Sequence, residues 1–412
     1  MFRQLSGSIL VTAIAVLLFA ACAEPVRYDV ILRGGTVYNG TGAPPVVADV
    51  AGKPAVVFGG PSPEHDISIL TGLQAARTLS ESGTDVDVIY WSKTGDWYLA
   101  DPDMEAADFA DGVPAKARQL RFEATPGGGF FIKKRVLDPS AVLNCCHGGP
   151  GEDGTLQAAL DLAGIRYTGP DAAGSVLGMD KYAFGALAAA AGLPSLPRML
   201  VTSNQTPSFS GPYIAKPRFG GSSIGIEVVE DWRTALALVE ASPHMRRGAV
   251  VEPFLPESRD LNISVRTYPD FELSPIEAPI RADDAARIYD YRQKYLAGGG
   301  LDGSAREIPA DIPDDWAESI RSMSLIVSGL VRARSVARID FLQNGDDIFV
   351  NEINTIPGSL SAYLWAEAGI SRAQLLRGMV EEAEQAPTVV FTTAGADGVA
   401  LRNASSIAAK LG

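Results

Sequence analysis

The sequence predicts an α/β chain in which a parallel-sheet domain is followed by α+β units. Three observations point there. After residue 52, short apolar runs ending in glycines alternate with stretches of helical periodicity. Between Tyr213 and Leu255 a strand, a Gly/Ser loop, a strand, a helix and a strand follow one another. A long hairpin, "RIDFLQNGDDIFVNEIN", closes the patterned part. Strands alternating with helices imply a parallel sheet covered on both faces. Ligands of such sheets sit beyond the carboxyl ends of the strands.

The elements follow in order. "AVVFGG" (55–60) reads as a strand opening into a loop. Ile67, Leu70, Leu73, Ala76 and Leu79 then recur near helical period. "VDVIYW" (86–91) and "AVLNCC" (141–146) are the second and third strands, and the loop "HGGPGEDG" leads to a helix over Thr155–Ala163. A helix past "GMDKYAF" runs to Gly192 and "GLPSLP" breaks it. "YIAKP" (213–217), "IEVV" (226–229) and "GAVVEPFL" (248–255) are strands, with a helix over Trp232–Ala241. The last section holds "LNISVRTY", a loop with "YDYRQKYL", a helix over Trp316–Ala333 and the closing hairpin.

Net charge is −14 over 412 residues, which excludes a general nucleic-acid binder. Cys145 and Cys146 sit in an apolar run with neither zinc nor disulfide spacing. Residues 1–22 place Arg3 before an apolar stretch, Ile9 to Phe19, and end in "FAAC". This is a secretory signal pattern, and the ending resembles a lipoprotein cleavage box with Cys22 as the lipidated residue. Tyr28–Gly52 is similar to the opening hairpin of metal-dependent amidohydrolases, specifically D-aminoacylases. That family's His-x-His pair is absent, so the segment is expected to carry no chemistry.

The chemistry concentrates in "NEINTIPGSL" (351–360). Period-2 geometry points Glu352 and Asn354 to one face. Asp340 lies on the preceding strand across "NGDD". Two carboxylates and an amide oxygen are hard ligands suited to Mg²⁺ shared with nucleotide phosphates. Alone, the same three residues also fit the solvent face of an ordinary hairpin. Lys216 ends an apolar strand, where an ammonium needs a partner. "GGSSIG" after it offers backbone N–H groups without bulk, yet matches neither common phosphate motif.

Six stretches in order change the balance: "FGGPSPEHDIS", "HGGPGEDGTLQAALDLAGIRYTGP", "MDK", "AKPRFGGSSIG", "YDYRQKYL" and "RIDFL…VNEINTIPG". Together they resemble the D-alanine–D-alanine ligases of the ATP-grasp fold, over Lys53 to Glu384. The resemblance implies ATP-dependent joining of two D-amino acids through an acyl phosphate, for peptidoglycan precursors. It leaves as alternatives a D-Ala–D-Ser or D-Ala–D-lactate ligase, and a lipid-anchored binding protein that has lost catalysis.

The resemblance also implies roles. Lys181 and Lys216 contact ATP phosphates, and Ser222 and Ser223 with their glycines form a lid. Glu252, with the backbone through Leu255, lines the adenine pocket. Lys294 and Tyr295 belong to a loop closing over the site. Asp340, Glu352 and Asn354 hold two Mg²⁺ (or Mn²⁺) ions, with Glu352 bridging. Glu64 and Ser68 receive the ammonium of the first amino acid, with His147 nearby. Arg338 and the Gly358 N–H stabilise the developing oxyanion. Glu64, Ser222 and Tyr295 are linked by hydrogen bonds.

Two positions depart from the family pattern. Tyr363 stands where a second serine binds the carboxylate of the second amino acid, and Asp260 stands where a glutamate usually meets the ribose. The expected division is a leader (1–22), the amidohydrolase-like segment (23–52), an N-terminal α/β domain (53–176), a central subdomain with the lid (177–251), a C-terminal subdomain with the metal site (252–388) and a tail (389–412). ATP use implies a cytoplasmic enzyme acting on small molecules, and the resemblance implies a homodimer. A membrane tether through Cys22 is the alternative if the leader is genuine.

Overall fold

A computed structural model describes residues 31–37, 46–50, 52–280, 305–404 and 406. They fall into two units, Met1–Gly52 and Lys53–Gly412. The described part of the first is an antiparallel pair, β1 (Ile31–Val37) and β2 (Val46–Val50), with Val37 opposite Val46. Cys22, Lys294 and Tyr295 lie outside the described residues. No helix among the described residues is long and apolar enough to cross a membrane.

The second unit opens with β3 (Ala55–Gly59), β4 (Asp87–Trp91), β5 (Trp97–Ala100), β6 (Arg118–Glu123), β7 (Gly129–Ile132), β8 (Arg135–Leu137) and β9 (Val142–Asn144). They form one sheet in the order β8-β7-β6-β5-β4-β3-β9. The three strands read from sequence are β3, β4 and β9, and β3 is parallel to both others. The sheet as a whole is mixed rather than parallel, because β5 to β8 extend it antiparallel. Those strands are short and partly exposed, as in "RQLRFE", so they give no continuous apolar run. The chain leaves β3 toward β4 on one side and reaches β9 on the other. That is a switch point with a crevice at the strand ends.

The helix His65–Glu81 packs on this sheet through Ile67, Ile69, Leu73, Ala76 and Leu79. Leu70, expected on that face, is 53% exposed. Gly72 lets the helix approach closely, since a Cβ there would lie 2.3 Å from the Phe58 ring. Leu360, Trp365, Leu376 and Met379, from the far end of the chain, join the same core cluster. Burial of each such side chain contributes roughly 1.5–3 kcal/mol, so the last helices are fastened to the first sheet.

Two further sheets form the rest. β10 (Met199–Leu200), β11 (Tyr213–Pro217), β12 (Glu227–Val229) and β13 (Ala249–Pro253) order as β10-β13-β11-β12. The helix Trp232–Ala241 matches its expected bounds, and its N-cap Asp231 accepts from the Thr234 N–H. β14 (Arg259–Arg266), β15 (Glu272–Leu273), β18 (Val336–Asn344) and β19 (Asp347–Asn354) order as β15-β14-β18-β19, beside a small pair, β16 (Ala278–Pro279) and β17 (Arg306–Glu307). The helices Lys181–Ala190 and Asp314–Leu330 share a core with this second sheet through Phe184, Val327, Ile339 and Phe341.

Candidate active site

The hairpin β18–β19 sets the site. Asp340 stands opposite Glu352, and Arg338 opposite Asn354. Phe341 pairs with Val350, so Asn351 is an extra residue and the ladder is bulged beside the acids. Bulges re-aim side chains next to active sites. Here Asn351, Glu352 and Asn354 all line one cavity together with Asp340. Asn354 Nδ2 donates to Asp340 Oδ2 at 3.0 Å.

Cations converge on these acids. Lys181 Nζ lies 2.5 Å from Glu352 Oε2. Lys181 begins the helix Lys181–Ala190, whose N-cap Asp180 accepts from the N–H groups of Tyr182 and Ala183 and is paired with Arg218. Lys216, on β11, donates to Glu252 Oε2 at 2.8 Å and to Asn351 Oδ1 at 3.1 Å. Arg338 grips Asp340 with two N–H groups, at 2.6 and 2.8 Å. Burial works against the Arg338 charge, yet Asp340 holds its pKa well above the ordinary value.

Glu252 is fully buried. Burial raises its pKa, but Lys216 and then Arg198 outweigh this and hold the carboxyl below its ordinary value. Arg198 Nε is 2.6 Å from Glu252 Oε1, and its other nitrogens reach the carbonyls of Lys181 and Asn351. One buried guanidinium, just before β10, thus joins β13, the start of the Lys181 helix and the bulge of β19.

The opposite wall comes from the first sheet. Glu64 precedes the helix His65–Glu81 but makes no side-chain cap bond. Its carboxylate instead accepts from Ser222 in the loop Arg218–Gly225. Glycines make this contact possible: a Cβ at Gly148 or Gly221 would lie 2.2 or 2.7 Å from Glu64 Oε2. Ser222 and Ser223 hold left-handed φ angles of 51° and 58°, a costly conformation for residues with a Cβ.

His147 is spent on position. Its Nδ1 lies 2.8 Å from the Ile356 carbonyl and its Nε2 lies 2.8 Å from Thr71 Oγ1. Burial pushes its pKa down to about 4, against the pull of the Ile356 carbonyl and with help from Arg338. The neutral ring therefore donates from Nδ1 and accepts at Nε2. Beside it, Glu152 accepts from the N–H groups of Gly148 and Ile356. Burial, then the charge of Glu64, pushes its pKa up to about 7. These bonds brace the turn before Gly358, which lines the cavity. Ser359, Leu360 and Ser361 follow with left-handed φ of 49°, 53° and 50°, at about 1–2 kcal/mol each. Leu360, 2% exposed, anchors that strained turn in the core.

Residues 53–170 match the family description "D-ala D-ala ligase N-terminus", and residues 190–381 match "D-ala D-ala ligase C-terminus". The chain belongs to the D-alanine–D-alanine ligase family. A D-alanine–D-alanine ligase of Mycobacterium sp. (strain KMS) is 33% identical over 362 residues, covering 80% of this chain and 95% of the relative. One from Bradyrhizobium sp. (strain ORS 278) is 31% identical over 348 residues, covering 80% and 94%. The solved D-alanyl-alanine synthetase A from Vibrio cholerae aligns with a TM-score of 0.67 at 22% identity, covering 81% of this chain and 98% of that one. The fold is ATP-grasp, preceded by the mixed N-terminal sheet.

Within this D-alanine–D-alanine ligase framework, most residues singled out from sequence meet at one cavity. Glu64, His147, Lys181, Lys216, Ser222 and Ser223 line it. So do Glu252, Leu255, Asp260, Arg338, Gly358 and Tyr363, with the three expected metal ligands. Ser68 does not. It is fully buried, accepts from the Gly59 N–H at 2.7 Å and donates to the Cys145 carbonyl at 2.8 Å, so its hydroxyl fastens β3 to β9 rather than facing a ligand. The Glu252 carboxylate is directed to Lys216 and Arg198. The expected Glu64–Ser222 bond is present, while Tyr295 lies outside the described residues.

The sequence reading missed Arg198, Asn351, Glu152 and Glu277. Three of these are charges inside apolar or Gly-rich runs ("LPRML", "PGEDG", "SPIEAPI"), where burial would demand a partner. That signal was legible. Asn351 gave none, because its position depends on the bulge.

Asp340, Glu352 and Asn354 supply hard oxygen donors on one wall, in register, which fits Mg²⁺ or Mn²⁺. Among the described residues no group of three or more His, Cys, Asp or Glu could hold a metal unaided. An ion here therefore needs further oxygens from phosphate and water, as Mg²⁺ usually does.

Proposed function

We propose that this chain is an ATP-dependent ligase that joins D-alanine to D-alanine through an acyl phosphate, a step of peptidoglycan precursor synthesis. The observation that carries this reading is the pairing of Asp340 with Glu352, with the ammonium of Lys181 on Glu352 and that of Lys216 on the adjoining Asn351.

A carboxylate is a poor electrophile. Transfer of the terminal phosphoryl group of ATP to the first amino acid's carboxylate oxygen gives an acyl phosphate and ADP. The neutral amine of the second amino acid then attacks the acyl carbon, phosphate leaves with the C–O bond pair, and the amine's proton is lost. Such chemistry needs positioning and charge neutralisation rather than a nucleophilic side chain.

The chain's residues divide this work. Lys181 and Lys216 meet the phosphates. Ser222 and Ser223, on their Gly-rich loop, cover them and exclude water that would hydrolyse the acyl phosphate. Leu255 and neighbouring backbone face the adenine, Asp260 the ribose. Glu252 acts indirectly, by fixing Lys216. Glu64 receives the first amino acid's ammonium, so its bond to Ser222 couples lid closure to that substrate's seat. Arg338 and the Gly358 N–H face the developing oxyanion, and His147 holds their turn in place. Asp340, Glu352 and Asn354 would hold two divalent ions, which when bound neutralise phosphate charge and polarise the transferring group. Its need for ATP argues for a cytoplasmic enzyme, and we infer a homodimer, which light scattering would test.

The test incubates purified protein with ATP, Mg²⁺ and D-alanine and follows ADP and dipeptide together. Stoichiometric ADP and D-alanyl-D-alanine are expected. ADP without dipeptide would point to another acceptor, and neither product would overturn ligation.

A further inference from the structure

The Gly/Ser loop is fastened at its base as well as at its tip. At the tip Ser222 donates to Glu64. At the base stands Phe219, whose backbone bridges to Asp180 beside the start of the Lys181 helix. The Arg247 guanidinium, just before β13, lies over the Phe219 ring, 4.1 Å from the centroid. Its Nη1 donates to Asp153 Oδ2 at 2.6 Å. The other oxygen, Asp153 Oδ1, accepts from the N–H and the hydroxyl of Thr155, at 3.1 and 2.7 Å. The Asp153 side chain is buried and that of Arg247 is half-exposed.

Asp153 follows Glu152, which braces the turn before Gly358. Arg247 therefore joins the base of the loop to the segment that carries this brace. A fully exposed ion pair would contribute little. Here one partner is buried, so loss of Arg247 leaves a buried carboxylate without that cation. The stack on Phe219 adds a second contact. Asp153, Phe219 and Arg247 stand outside the described lining of the cavity, so their contacts do not compete with ATP, metal or amino acid. The tip differs. Glu64 also receives the first amino acid's ammonium, so Ser222 shares its partner with substrate. A lid that excludes water while an acyl phosphate waits needs an anchor that substrate does not engage.

Resting on the ligase reading above, we propose that Arg247 is a positioning residue of the lid. Paired with Asp153 and stacked on Phe219, it holds the base of the loop shut while the acyl phosphate awaits the second amine. Without this anchor, water reaches the acyl phosphate. The water oxygen bonds to the acyl carbon, and phosphate leaves with the C–O bond pair. The water's protons pass to phosphate and solvent. The first amino acid is regenerated, and ATP is consumed with no dipeptide formed.

The test measures ADP and dipeptide together at saturating ATP and half-saturating D-alanine. The unaltered protein should release them in equal amounts. Arg247→Gln should release ADP in excess of dipeptide by about twofold or more, as a lid that leaks water would. Arg247→Lys keeps the charge but not the planar group over the ring, and should restore part of the coupling. Asp153→Asn can still accept from Thr155 and should leak as Arg247→Gln does. The double variant should leak no more than the worse single one, because both remove the same contact. A merely structural role would slow both products alike and leave their ratio unchanged. An unchanged ratio in Arg247→Gln, or in Asp153→Asn should the first variant not fold, would overturn the inference while leaving ligation intact. Excess ADP that persists without D-alanine would also overturn it, since no acyl phosphate then forms. Failure of ligation itself would appear differently, as no ADP from the unaltered protein.

Discussion

Asp340 and Glu352 face each other across two antiparallel strands, at the point where Asn351 bulges out of the ladder. Two carboxylates placed side by side repel unless cations share the site. In this structure Arg338 and Lys181 do so. Divalent ions and phosphates would redistribute those partners rather than create a site anew. Asp340→Asn and Glu352→Gln keep shape and remove one charge each. Each should lower ADP formation by a hundredfold or more, a size common for loss of a transition-state electrostatic contact. Both variants should remain folded, with some loss in melting temperature because Lys181 and Arg338 each lose a partly buried counter-charge. Turnover within tenfold of the unaltered protein in both variants would contradict the assigned roles.

Glu252 offers a prediction about stability. It is fully buried between two cations, Lys216 and Arg198. Removing the shared acid leaves two buried positive charges without it, the situation that makes broken buried pairs expensive. Glu252→Gln should therefore destabilise the protein by about 3–5 kcal/mol, read from denaturant titration. It should also weaken ATP binding, because Lys216 loses its anchor. A loss below about 1 kcal/mol would show that the three groups are not coupled as their distances suggest.

The legibility of this protein in its sequence divides along physical lines. Period-2 alternation made Glu352 and Asn354 readable as one face, and the Gly/Ser loop after Lys216 was readable as a loop from its composition. The helix Trp232–Ala241 was read to its exact ends, because Asp231 caps it and Ser-Pro stops it. The strands β5 to β8 were not seen, as their alternation is interrupted every few residues by turns. Ser68 was placed in the site by the family resemblance alone. Its inward rotation depends on tertiary packing that no local pattern encodes. Arg198 and Glu277 were visible as charges in apolar surroundings, yet their partners lie far along the chain. Pairing of that kind is decided by the fold.

His147 predicts how stability should depend on pH. Its folded pKa is about 4 against an ordinary 6.5, burial being the main cause. Between those values the unfolded chain binds a proton that the folded chain refuses. The stabilisation is thus complete above pH 6.5 and is lost as pH falls toward 4, by about 3 kcal/mol in all. Glu152 works in the other direction. Its raised pKa, about 7, contributes stability that is full below its ordinary 4.5 and fades as pH rises through 7. The two oppose each other in the unaltered protein, so the raw pH profile would hide both. A difference experiment separates them. His147→Asn keeps a donor for the Ile356 carbonyl but cannot titrate. Its melting temperature should lie below that of the unaltered protein at pH 7, and the gap should narrow steadily as pH falls from 6.5 to 4. A gap that stays constant over that range would mean that His147 is charged in the fold. The neutral ring donating from Nδ1 to the turn before Gly358 would then be wrong.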